Sequence, residues 1–370
     1  MESKKISSIQ VGAIFILITI AAFSGIGIFS IVKASGIDAY LSVLIAGVIG
    51  IIYLLVYFYI VGYEPDLMLS EKICKLFGNK VGNGLNIVIA ILVLILGINI
   101  MFNLANFIVS QFLPETPNYV VGILFAIVVI YVNIKGIETL ARTSFILAIL
   151  SMILFGVTAF GLSATFETSN LLPFLENGIG RPFHGAFYIL SLNLGSIFNL
   201  LIIPKSQLVD SKKLKRVMTI SYIISILALF AIVILTLGNL GIYLASIYQY
   251  PEYIVLKRIK IFNFIDRIEN ILTIQFIFSM FASMCFGVYC VTNLLKPRNK
   301  SRILPAFITV LILLVSTFAF KNNTIFNNYT YHIVPFIRLS FVGIIFIIAF
   351  TIFIKRQRFK SKNKQDCSIE

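Results

Sequence analysis

The chain has 370 residues, 59% of them hydrophobic and only 12% charged, with a mean hydropathy of +0.99. A water-soluble domain is about half apolar and a quarter charged, so composition excludes one and predicts an all-α integral membrane protein. The net charge of +15 would suit nucleic acid, but its distribution along the chain argues against that partner.

About 20 apolar residues carry a helix across the hydrocarbon core. Ten runs reach that scale, at about 10–32, 37–62, 83–111, 118–134, 141–163, 183–203, 217–243, 268–295, 303–320 and 332–354. The first follows Lys4 and Lys5, as a signal peptide would, but it is longer than a signal's apolar core and no soluble domain follows it. With the N-terminus in the cytoplasm, 22 of the 30 Lys and Arg fall on the inner side, seven on the outer side, and Arg338 inside the last span. That asymmetry predicts both termini inside. The excess charge is then topological, and the basic tail 355–370 is a solvated face near anionic headgroups.

The first span contains AFSGIGIFSIV at 21–31. Two glycines within one turn weaken a helix where it is most buried. The sixth span contains SLNLGSIF, Ser191 to Phe198. Either glycine set could serve only close helix packing. Together they open each half of a five-plus-five arrangement, repeat 1 at about 10–163 and repeat 2 at about 183–354. Paired interruptions in corresponding spans point to an inverted-repeat transporter core, with discontinuous helices 1 and 6 forming its site.

Such a break exposes backbone N–H groups and the positive end of a half-helix, which suit a carboxylate. The carbonyls freed opposite suit an ammonium group. An amino acid carries both. The predicted ligand contacts are therefore the backbone at Ser24, Gly25, Ile26 and Gly27, with Ser191, Asn193, Gly195 and Ser196 at the other end.

Between the two breaks, EKICKLFGNKVG at 71–82 reads as a short interfacial helix. Span three carries Asn99, Asn103, Asn106 and Ser110 on one face, and span eight carries Gln275, Ser279 and Ser283. Some of these side chains join helices and others face a cavity, with Asn103 and Ser279 the candidate side-wall contacts. The segment 250–269 reads as a short amphipathic helix leading into span eight. Arg338 lies about six residues into span ten, roughly 9 Å at 1.5 Å per residue. Snorkelling to the outer surface or pairing with Asp266, Glu269 or Asp38 would each accommodate it. The four cysteines form no C-x-x-C pair, and no metal, Walker or nucleophile-elbow spacing occurs. No cofactor or catalytic residue is expected.

Five stretches carry a family resemblance: GIDAYLSVLIAGVIG (36–50), FLPETPNYVV (112–121), KGIETLAR (135–142), NLLPFLENGIGRPFHGAF (170–187) and FNFIDRIENIL (262–272). Their order and spacing resemble the B subunits of spore nutrient germinant receptors, distant members of the amino acid–polyamine–organocation transporter superfamily. The resemblance implies the five-plus-five fold and residence in the spore inner membrane. It implies an A-type membrane subunit and a C-type lipoprotein as partners, and a small nutrient ligand, usually an amino acid. Its unwound segments would fall on Ser24–Phe29 and Ser191–Ser196. The chain departs from the family pattern after the glycine pair: Phe29-Ser30-Ile31-Val32 has no proline, and Asp38 comes early. The alternative function is an active amino-acid permease, and a third is a scaffold with a vestigial pocket.

Overall fold

The computed structural model describes residues 5–24, 26–176, 178–258, 269–298, 301–320 and 323–366, excepting the side chains of Ile26, Asn193, Arg258 and 359–366. Fourteen α-helices account for most of them, and the only β contact among them is an isolated parallel bridge between Ile6 and Leu208. Eight helical stretches are long and apolar enough to cross a membrane, and two shorter apolar helices, Ser8–Phe23 and Ile303–Ala319, join them. The chain is thus a multi-pass membrane protein. The ten apolar runs of the sequence all fall on helical segments.

The first run forms α1 (Ser8–Phe23) and α2 (Ile26–Ser35), separated by a break. Next come α3 (Ala39–Val61) and the short α4 (Leu69–Phe77). Then follow α5 (Asn79–Phe112), α6 (Asn118–Lys135) and α7 (Ile137–Ser163). The sixth run opens as α8 (Gly180–Tyr188), passes through a π-helical turn (Ile189–Asn193) and ends in 3-10 winding (Leu194–Ile202). The second half continues with α9 (Leu214–Ile247), α10 (Pro251–Arg258), α11 (Glu269–Leu295), α12 (Ile303–Ala319), α13 (Asn323–His332) and α14 (Val334–Asp366). A short helix, α4, does form in the stretch expected at 71–82, and it stops at Phe77 because Gly78 takes φ +80°. Of the amphipathic stretch 250–269, α10 accounts for the first part, and 259–268 lie outside the described residues.

The interrupted helices sit innermost. α1 packs on α7, α9 and α11, while the π and 3-10 segments pack on α1, α3 and α14. Large apolar side chains such as Val48, Leu124, Phe160, Phe318 and Phe350 point outward from the peripheral helices. That is the reverse of a water-soluble surface, and it suits lipid, which solvates apolar side chains and leaves backbone polar groups to be satisfied within the helix.

The basic end of the bundle is tied together by polar contacts. Ile6 pairs with the loop at 207–209 through two backbone hydrogen bonds of 2.9 and 3.0 Å. Ser7 and Gln10 form a capping box on α1, and the Asp210 carboxylate accepts from the Ser8 N–H at 2.7 Å. The Lys205 N–H donates to the Pro65 carbonyl at 2.8 Å, and Arg298 pairs with Glu71 at 3.0 Å. At the far end of α14, Arg356 donates to the Gly62 carbonyl and Lys355 to the Lys75 carbonyl.

Lys72 of α4 is buried beneath this end, its ammonium donating to the Ile60 carbonyl in the last turn of α3 at 3.0 Å. Burial lowers its pKa from 10.5 to about 8, repulsion from Lys205 adds to the drop, and Glu64 opposes it. The folded chain therefore releases this proton near pH 8, while the unfolded chain holds it to about 10.5. The unfolded state binds more protons across that interval, so stability rises with pH there, and the full penalty applies below pH 8. The melting temperature of detergent-solubilised protein is expected to gain a rising component between pH 8 and 10, and Lys72→Met is expected to remove it.

Candidate ligand-binding site

The break in the first span is short. α1 ends with Ser24 in an extended conformation (φ −66°, ψ 133°), and helical winding resumes at Ile26. Both the N–H and the hydroxyl of Ser24 donate to the Ile20 carbonyl, at 2.9 and 2.8 Å, which seals the last turn of α1. Gly27 then passes hard against α1: a Cβ there would lie 2.4 Å from the Ala22 carbonyl oxygen. The segment expected to be unwound at Ser24–Phe29 is therefore opened only around Ser24, with Ile26–Phe29 already in α2. Gly25 lies outside the described residues, and Ile26 is described by its backbone alone.

The sixth span is interrupted differently. Ser191–Ser196 does not open into extended chain; its winding widens to π and then tightens to 3-10. Such a change leaves helical hydrogen bonds out of register, a common device at functional sites. At the junction, the Leu192 carbonyl accepts from Nη1 of Arg338 on α14.

A cavity lies between the two interruptions. Its walls come from α1 and α2 (Ala22, Ser24, Gly27), α5 (Asn99, Asn103), the π and 3-10 segments (Leu192, Ser196, Asn199), α11 (Ser283, Phe286, Gly287) and the α13–α14 corner (Thr330, Val334, Arg338). Asn99 donates to Thr330 at 2.9 Å, and Asn103 accepts from Tyr250 at 3.3 Å. Asn106, one turn further along α5, donates to the same Tyr250 hydroxyl at 3.1 Å and is not among the residues lining the cavity. The polar stripe of span three is thus part wall and part inter-helix joint. A second, smaller cavity adjoins the other side of Ser24 and is lined by Glu252 and Gln275 among apolar neighbours.

Of the residues expected to hold a ligand, Ser24, Gly27, Asn103 and Ser196 come together on the first cavity. Ser191 and Ser279 are fully buried behind its wall, their hydroxyls donating to the carbonyls of Tyr188 and Phe276 in their own helices, at 3.1 and 2.9 Å. Gly195 faces α14, where a Cβ would come within 3.0 Å of Val342, so close packing explains it. The Asn193 side chain lies outside the described residues.

Asn99, Ser283 and Arg338, whose polarity stands out in the sequence without marking them as ligand contacts, also line the cavity, as do Asn199 and Thr330, which the sequence pattern does not single out. Thr330, Val334 and Arg338 follow one another at intervals of four, a one-face pattern that could have flagged them. The pairing of Arg338 with Asp38 does not form: Asp38 accepts from the Leu175 N–H at 2.8 Å instead. Asp266 is outside the described residues. Among the described residues no His, Cys, Asp and Glu cluster suits a metal ion.

These features define a polytopic membrane protein with a polar cavity at two helix interruptions. The chain belongs to the spore permease family of spore germination proteins, whose family model matches residues 5–325. It is 25% identical to spore germination protein KB of Bacillus subtilis strain 168, over 99% of both chains. Spore germination protein XB of Bacillus anthracis is 23% identical, over 77% of this chain and 81% of its own length. The putative spore germination protein YfkT of Bacillus subtilis strain 168 is 28% identical over 52% of each chain. The protein is thus a germination-related membrane protein.

Two of the cavity-lining glycines differ in the room they leave. Gly287 has nothing within 4 Å of a built Cβ, whereas Gly27 has a backbone oxygen at 2.4 Å. Gly27→Ala is expected to cost about 1–3 kcal/mol through overpacking, read as a lower melting temperature in detergent. Gly287→Ala is expected to melt like the unaltered chain.

Proposed function

We propose that the protein is the ligand-binding membrane subunit of a spore germinant receptor. It takes a small nutrient of the amino-acid class into the cavity between the interrupted helices and so triggers germination. The observation that carries this reading is the convergence of Ser24, Gly27, Asn103 and Ser196 on one cavity. Ser24 and Gly27 come from the first interrupted span and Ser196 from the sixth, and non-helical backbone at membrane depth is sustained where it lines a cavity or is packed within protein. The germination-protein relatives set the biological context. The spore inner membrane, cytoplasmic termini, a five-plus-five inverted repeat of ten spans, and A-type and C-type partner subunits belong to the same proposal. They are supported by the distribution of Lys and Arg and by the family.

The test uses the purified chain in proteoliposomes and a panel of labelled amino acids, recording label bound per protein over time. A saturable plateau near one per chain supports a receptor subunit. Accumulation far beyond one, lost when the vesicles are made leaky, would instead establish an active amino-acid permease. Asn103→Ala and Ser196→Ala are each expected to weaken binding about tenfold, the scale of one hydrogen bond to a charged or polar ligand group.

A further inference from the structure

We propose that Arg338 is the anion-binding residue of this cavity, and that its guanidinium takes the carboxylate of the ligand. The proposal rests on the cavity being the ligand site.

Arg338 does not run outward along its helix to the surface. It turns inward from α14 and reaches the π-helical turn, where Nη1 donates to the Leu192 carbonyl. A backbone carbonyl offers a dipole, not a compensating charge. A cation at membrane depth is costly and is ordinarily paired. Yet no Asp or Glu is among the described residues lining the cavity, and Arg338 is the only Arg or Lys among them. The remaining polar wall is neutral, formed by hydroxyl and amide groups such as Ser24, Asn99, Asn103 and Ser196. Among the described residues the cavity thus holds one positive charge, and the matching negative charge is left to whatever occupies it.

The guanidinium also has donor capacity to spare. Its Nε is buried and accepted by no neighbour in the structure. A buried donor without an acceptor calls for a reason, and an absent ligand is one. The edge formed by Nε and Nη2 is the one that binds a carboxylate through two parallel hydrogen bonds. Such a ligand would leave the contact from Nη1 to Leu192 in place.

This arrangement orients the ligand. The carboxylate lies toward α14, and an ammonium group lies toward the carbonyl end of α1 at Ala22 and Ser24, where the helix dipole is negative. It reverses the expectation from sequence, which gave the carboxylate to the backbone at 25–27. It also narrows the ligand class to compounds with a carboxylate or an equivalent anion, against neutral sugars and simple amines.

The experiment measures binding to the full chain in lipid nanodiscs, with and without the A-type and C-type subunits. The panel comprises the twenty amino acids, their amides, the matching amines without a carboxylate, and uncharged hexoses. For whichever amino acid binds, the amide is expected to bind about a hundredfold more weakly to the unaltered chain, the scale of a charge-assisted bidentate pair. In Arg338→Gln that acid-over-amide preference is expected to collapse to within about threefold, with Arg338→Lys intermediate. A residue that merely braces Leu192 would lower both affinities together and leave their ratio unchanged.

If the preference persists in Arg338→Gln, or if hexoses or amines bind the unaltered chain best, the proposal is overturned. The cavity reading survives that result if Asn103→Ala still weakens binding. If nothing in the panel binds the unaltered chain, with or without its partners, the cavity reading falls and this proposal with it. Should Arg338→Gln fail to fold, the acid-to-amide ratio of the unaltered chain decides alone, since equal binding of both would exclude a carboxylate anchor.

Discussion

Lipid offers a backbone no hydrogen bonds, so every N–H and C=O at membrane depth needs a partner within the protein. The arrangement around the cavity follows from that constraint. Two helices are interrupted in the innermost part of the bundle, and each interruption is closed by neighbouring polar groups. At the first, Ser24 returns its N–H and its hydroxyl to the Ile20 carbonyl. At the second, the change from π to 3-10 winding sets the Leu192 carbonyl against Arg338. The interruptions are therefore affordable only because other helices surround them. That is why α1 and the π and 3-10 segments are enclosed while α6, α7 and α12 present large apolar side chains outward.

The same constraint explains what could be read from the sequence. Long apolar runs mark spanning helices because no other open-ended element survives in lipid, and all ten runs proved helical. The stripe of Asn99, Asn103 and Asn106 was legible because a helix puts every third or fourth residue on one face. Its division was not legible. Asn103 borders the cavity while Asn106 is held by Tyr250, and that depends on where the segment ahead of α10 crosses α5. Ser191 and Ser279 carry the right chemistry, but their hydroxyls donate to carbonyls three residues back in their own helices. A hydroxyl's choice between ligand and backbone is a rotamer, and sequence does not record it. Gly195 shows a related ambiguity, since a small residue serves a close helix contact as well as a ligand, and Val342 decides the matter. Arg338 was the largest gap. Its depth along span ten is compatible with snorkelling, and only the placement of α14 against the π-helical turn shows that it points inward.

Two ends of the molecule meet in α14. This helix runs without interruption from Val334 to Asp366. Near its start, Val334 and Arg338 wall the cavity. Further along, Lys355 and Arg356 donate to carbonyls at the ends of α4 and α3. That basic end is closed by the contacts of Ile6, Lys205 and Arg298 with their neighbours. Separating the loop at 205–210 from the rest of that end would break its backbone contacts with both Ile6 and Pro65. Each neutral backbone hydrogen bond lost there costs about 1 kcal/mol net, so the basic end is held by several modest contacts and not by one lock. A ligand shifts such an equilibrium only by the difference in its affinity for the two states. Occupation of the cavity and opening of the basic end are therefore separable events. On the proposed function, the chain registers a ligand with that end shut, which is what a receptor subunit needs and what a transporter has to go beyond.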